Sequence, residues 1–220
     1  MYYPFMLFND SIEHRPIFPG LRGDPFVADL SWRSQLLEDS PARDQAAIQE
    51  ILERAMAPDN QWGFSPYLER RDTLLADCPH MAAEKRFYHL GMDIIVPVDT
   101  PLCAPLEAVV EESGYEDGEG NYGGFVLLRH EGRGFTPFFS LYGHLNRHHL
   151  PTVGRAFQAG EIFSRIGDFP DNGNWFHHTH LQIITEKGLS EGYLSKGYCS
   201  EHDLIAINDL CPSPVPLFRR

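Results

Sequence analysis

The chain has 220 residues, of which 42% are hydrophobic, with a formal net charge of −13 and only four cysteines. That length suits one large domain with an extension and allows a real core. Mean hydropathy is −0.32, and no apolar run approaches the roughly 20 residues that span a bilayer. The acidic balance disfavours nucleic acid and anionic surfaces as partners, since both require clustered Lys and Arg.

The opening MYYPFMLFND lacks a charged n-region and a long apolar run, so no secretory signal is expected and a cytoplasmic location is. Cys78, Cys103, Cys199 and Cys211 form no CxxC pair, which predicts reduced thiols rather than a zinc knuckle. Cys78 precedes His80 by two, a spacing open to a nucleophile dyad, although a packed cysteine is the commoner reading.

Residues 1 to about 38 are rich in Pro, Gly and aromatics and read as an irregular arm. SPARDQAAIQEILERAM (40–56) reads as a helix, with Ser40 as N-cap and Pro41 in its first turn. Ala47, Ile48, Ile51, Leu52 and Ala55 supply its apolar stripe, and PDN at 58–60 ends it. WGFSPY follows in a loop that could frame a cleft.

From about residue 86 the texture changes to short β-type runs: MDIIVPV, EAVVEES, GFVLLRH, FFSLYGHL and THLQIIT. Turn-rich connectors such as EDGEGN and GDFPDNGN separate them. The reading is a mainly β fold, an antiparallel sandwich or barrel-like core over 86–190. It is flanked by an arm with one helix (1–85) and a C-terminal extension (191–220) made of a loop, a short helical stretch and a Pro-rich end.

Three local patterns carry chemistry. In YHLGMDI, His89 and Asp93 share a face of an extended segment, a common half of a metal site. Gly91 between them permits close backbone approach. In SLYGHLN, His144 ends an aromatic-rich strand, which alone reads as a structural histidine. In FHHTHLQI, His178 and His180 point the same way because strand side chains alternate with period 2. Each pattern is weak by itself; their order and spacing together are specific.

H-x-G-x-D, then Y-x-H-L, then H-x-H, with β-type segments between, resembles the lysostaphin/LytM-type zinc metallopeptidases, the glycyl-glycine endopeptidases of the duplicated hybrid motif fold. PVDTPLCAPLEAVVEES, EGNYGGFVLLRH and VGRAFQAGEIFSRIGD are similar to further segments of that family, and the resemblance covers 86–185. It implies one Zn2+ ion held by His89, Asp93 and His180, with an open position for water. It also implies that His178 and His144 work on the reacting centre, as proton acceptor or as hydrogen-bond donor to an oxyanion, without assigning which does which. The implied activity is zinc-dependent cleavage of a peptide-type bond, with a peptide or small amide as substrate, peptidoglycan-derived ones among them.

The chain departs from the family's G-P-H-L-H-F-E, with His177 in place of proline and Gln182 in place of glutamate. Gln182 shares the face of His180 and is placed to orient it. The expected roles elsewhere are ordinary. His177, His148 and His149 read as exposed loop residues and His130 is left unassigned. The run Glu111, Glu112, Glu116, Asp117, Glu119 reads as a solvated face. Trp62, Trp175, Tyr88 and Tyr142 read as groove-lining or core aromatics.

Two other functions compete. A non-cleaving binding or regulatory module would keep the fold and metal, with Asn9, Asn60 or a carboxylate of the arm filling the fourth metal position. A phosphocarrier would use two facing histidines, but would have no need of Asp93 beside His89. The tail NDLCPSPVPLF is also similar to domains of this type inside larger proteins with a sugar-kinase-like or aminotransferase part, which would make the substrate a small intracellular amide.

Overall fold

Alternating and fully apolar runs of the length found after residue 86 bury their side chains by pairing into sheets, and the computed structural model shows how. It describes residues 12–38, 44–75, 78–118 and 120–218. Asn9, Ser40, Pro41 and Glu119 lie outside the described residues.

In chain order the strands are Phe26–Val27 (β1), Gly63–Ser65 (β2), Arg86–His89 (β3), Met92–Ile95 (β4), Pro101–Cys103 (β5), Ala108–Glu116 (β6), Gly123–His130 (β7), Phe138–Leu145 (β8), Ala156–Phe157 (β9), Ile162–Arg165 (β10), His178–Thr185 (β11) and Tyr198–Ser200 (β12). The α-helices are Gln45–Met56 (α1), Pro79–Glu84 (α2), Glu186–Ser190 (α3) and Ile207–Leu210 (α4). Eight strands form one sheet in the order β1-β2-β4-β11-β8-β7-β6-β9. Every pair in it is antiparallel except β1–β2. β5 pairs with β10, and β3 with β12, in two small ribbons. The mainly β expectation is met, and each of the five predicted runs is a strand.

The period of 2 sorts side chains to two faces. On one face Met92, Ile94, Leu181, Ile183, Val126, Leu128 and Tyr142 join a large apolar cluster with Trp62 and Phe163. The other face is divided. A C-terminal cluster gathers Leu127, Phe139, Leu141 and Ile184 under Tyr193, Ile207 and Leu210. An N-terminal cluster packs Ile48 and Leu52 of α1 against Ile95, Trp175, Phe176 and Tyr198. The polar residues discussed below lie between these two clusters.

Both flanking segments supply strands. β2, from the N-terminal arm, lies beside β4, with Ser65 opposite Asp93. β12, from the C-terminal extension, lies beside β3, with Tyr198 opposite His89. Helix α1 begins at Asp44, whose side chain accepts a hydrogen bond from the Ala47 amide at 2.9 Å. Among the described residues no helix is long and apolar enough to cross a membrane. Cys103, Cys199 and Cys211 are buried, and Cys78 is half-buried.

Candidate metal centre

β4 and β11 pair so that His180 stands directly opposite Asp93, and His178 opposite Ile95. His89 arrives from β3, after which the chain turns through Leu90 and Gly91 into β4. A Cβ on Gly91 would lie 2.5 Å from Cε1 of His180, so only glycine leaves room for that ring. His89, Asp93 and His180 are all buried, and one ligand atom from each lies within 4.8 Å of the others.

The hydrogen bonds fix which nitrogen of each histidine is bare. His89 Nδ1 donates to the Pro66 carbonyl at 3.3 Å, leaving the Nε2 lone pair facing Asp93. Gln182 Nε2 faces the carbonyls of Tyr193 and Lys196, so its Oε1 is the acceptor for Nε2–H of His180 at 2.9 Å. That leaves Nδ1 of His180 bare, 2.8 Å from Nε2 of His89. Oδ1 of Asp93 lies 3.1 Å from His89 Nε2 and 3.3 Å from His180 Nδ1, and accepts no hydrogen bond from the described residues. Two nitrogen lone pairs and one carboxylate oxygen therefore converge on one buried point. They repel one another unless a cation lies among them, so the donor set fits a metal ion.

The structure brings the other two histidines to the same place. His178 Nδ1 donates to the Phe176 carbonyl at 2.7 Å, and its bare Nε2 lies 3.5 Å from Asp93 Oδ1. His144 Nδ1 donates to the Asn172 carbonyl at 2.8 Å, and its ring centroid is 4.4 Å from that of His178. His144 has φ +63°, a left-handed conformation that costs a non-glycine residue of order 1–3 kcal/mol and concentrates at functional sites. The loop that supplies Asn172 passes so close to β7 that a Cβ on Gly123 (φ +60°) would strike the Asp171 carbonyl at 2.3 Å.

Burial sets the protonation states. It pushes His89 down to about 3, with Arg71 adding to the effect, and His178 down to about 4 against the opposing pull of Asp93. Burial, then His178 and His180, hold His144 well below its ordinary value. Burial alone would raise Asp93, but His89 and Arg71 keep it well below the usual carboxylate range. Three of the histidines are thus neutral bases at pH 7, beside an ionised carboxylate.

Asp93, His144, His178 and His180 open into a cavity of about 360 Å³, the size of a small-ligand pocket. Its wall includes Tyr122, Trp175 and Tyr198, with Glu116 and Arg86 among its charged groups. The hydroxyl of Tyr122 is buried and has no hydrogen-bond partner among the described residues. Burial first, and then Glu116, raise its pKa well above 10, so it stays a donor at neutral pH.

Several residues depart from their expected places. Glu116 is not part of a wholly solvated run: it is half-buried and lines the cavity, while Glu111, Glu112 and Asp117 are exposed. His177 is half-buried rather than exposed, because its Nε2 meets Asp168 at 2.9 Å and its amide donates to Gln49. His148 and His149 are exposed. His130 bonds Ser140 and the Glu107 carbonyl, away from the cavity. Of the four aromatics, only Trp175 lines the cavity; Trp62 and Tyr142 are core. His80 stands exposed at the rim, and Cys78 heads helix α2. Asn60 donates to the Asp24 carbonyl and lies outside the cavity.

Sequence reasoning missed Arg71 and Tyr198. Arg71 is fully buried, with NH1 2.8 Å from Asp93 Oδ2 and Nε 2.7 Å from Glu69. A buried charge must be paired, so an arginine beside a ligand carboxylate was in principle discoverable. No periodicity in ERRD separates Arg71 from its exposed neighbour Arg70, however.

Residues 87–190 match peptidase family M23. The chain carries an M23 peptidase domain. The domain contains all five of His89, Asp93, His144, His178 and His180, whereas Arg71 and Tyr198 lie outside it. Over 93 residues the chain is 34% identical to the peptidoglycan DD-endopeptidase ShyC of Vibrio cholerae, an alignment that covers 42% of this chain. The match spans 20% of ShyC, about a fifth of that protein's length. Among solved structures, lysostaphin of Staphylococcus simulans is similar at 19% identity and a TM-score of 0.39, covering 53% of this chain and 43% of that one. A catalytic-domain variant of the prophage-encoded M23 protein EnpA of Enterococcus faecalis is similar at 18% identity and 0.38, covering 51% and 75%.

Proposed function

We propose that this chain is a zinc-dependent peptidase that hydrolyses a peptide-type bond, with peptides of the peptidoglycan class as substrates. The observation that carries the reading is the convergence of three bare donor atoms, from His89, Asp93 and His180, beside two further bare imidazole nitrogens. The substrate class extends to this chain what ShyC is described as cleaving.

His89 Nε2, Asp93 Oδ1 and His180 Nδ1 would hold the ion. When bound, zinc supplies Lewis acidity, drawing electron density from an oxygen placed against it and making water acidic near neutral pH. The protein's own residues do the rest. His178, neutral and with Nε2 bare, accepts a proton from an attacking water. His144, 4.4 Å away ring to ring, offers a second bare nitrogen for the same proton or for the leaving amine. The Tyr122 hydroxyl is a spare donor for an oxygen that gains negative charge. Phe176 stacks on His178 at 4.1 Å and, with Trp175, excludes bulk water from the imidazoles.

The test is hydrolysis of purified cross-linked peptidoglycan peptides by the zinc-loaded chain. Cleavage is expected to stop on chelation and return with zinc. Changing His178 to Ala is expected to lower the rate by about 10²–10⁴ without loss of zinc, the usual contribution of a general base. Zinc uptake with no turnover on any peptide would support the non-cleaving module instead.

A further inference from the structure

We propose that Arg71 is a positioning residue of the metal centre: it occupies one oxygen of Asp93 so that the other is presented to the histidines as a single donor. A carboxylate has two oxygens and can grip a metal with one or both. Here the two are divided. Oδ1 faces His89, His178 and His180 at 3.1–3.5 Å. Oδ2 is taken by NH1 of Arg71 at 2.8 Å and approached by the Ser65 hydroxyl at 3.4 Å.

The guanidinium is itself fixed on every side. Nε donates to Glu69 at 2.7 Å, NH2 to Ser65, and NH1 also to the Tyr198 hydroxyl at 3.2 Å. Glu69 is held in turn by the Leu30 amide at 3.0 Å. Arg71 cannot swing away, because its side chain is 2% exposed and its amide donates to the Phe87 carbonyl at 2.9 Å. Only a planar fork reaches Glu69, Ser65, Asp93 and Tyr198 together; a lysine ammonium has three donors at a single point.

Two consequences follow. With one Asp93 oxygen withheld, the ligand set stays at three protein atoms and leaves room for water and substrate, the layout of a catalytic rather than a structural site. Because Ser65 and Arg71 come from the arm and Tyr198 from the C-terminal extension, segments outside the M23 domain complete the centre of this chain.

The inference rests on the metal reading of the site. The experiment uses the full chain and two readouts independent of turnover. X-ray absorption of the zinc-loaded wild type is expected to show one carboxylate oxygen in the ligand shell. A two-oxygen carboxylate overturns the proposal without any variant. In Arg71→Lys and Arg71→Met, zinc affinity measured against a chromophoric chelator is expected to fall at least tenfold. The cobalt-substituted absorption band is expected to weaken as Asp93 brings its second oxygen to the metal. Wild-type affinity and band in a folded Arg71 variant overturn the proposal. A wild type that takes up no zinc overturns both this proposal and the metal reading beneath it.

Discussion

At the scale of single residues, the site depends on second partners that fix each imidazole. Gln182 is the clearest case. Its amide nitrogen is committed to backbone carbonyls, so its oxygen must accept from His180 and thereby aim Nδ1 at Asp93. Changing Gln182 to Leu removes the acceptor but keeps the bulk. Zinc affinity is then expected to fall about 10–100-fold, the usual cost of losing such a partner, with the fold intact by circular dichroism. Unchanged affinity would show that packing alone orients His180. The spacing H-x-G-x-D and H-x-H made these residues legible in the sequence, because a period of 2 and a glycine between ligands have direct geometric meaning. Arg71 was not legible: a buried cation is specified by its partners, and Glu69, Asp93 and Tyr198 are distant in sequence or carry no pattern.

At the scale of elements, the sheet places the chemistry and the helices wall it. β4 and β11 bring Asp93 and His180 face to face, and β2 adds Ser65 on the other side of Asp93. β11 was predictable as an eight-residue run, and β4, four residues long, lies within the apolar run MDIIVPV. β2 and β12, three residues each, were not predictable, since so short a run has no detectable period. Helix α1 was visible from its stripe, although its start moves to Asp44. Leu52 of α1 is fully buried in the cluster that backs Trp175, Phe176 and Tyr198. Changing Leu52 to Ala is expected to destabilise the chain by about 2–5 kcal/mol, measured by urea unfolding, with one metal site per folded chain retained. A loss below 1 kcal/mol would mean that α1 does not brace this wall.

At the scale of the whole molecule, burying several neutral histidines in one place makes stability depend on pH. The folded-state values of His178 (about 4) and His89 (about 3) lie below their ordinary 6.5, so protons bind the unfolded chain preferentially. The contribution of each is complete above about pH 6.5 and is lost as pH falls towards 4 and then 3, at about 1.4 kcal/mol per unit and group. Metal-free protein is therefore expected to lose urea resistance steadily from pH 6.5 to 4.5. A flat profile across that window would contradict the buried neutral state. Bound zinc competes with the same protons, so the loss is expected to begin at lower pH in the loaded protein.

Everything proposed for this centre requires a single metal site at His89, Asp93 and His180. Its most direct test is the zinc content of the purified full chain after equilibration with zinc and removal of free ion, compared with that of His180→Ala. One zinc per chain in the wild type and none in the variant is the expected result. No bound zinc in the wild type, or equal zinc in both, would contradict it.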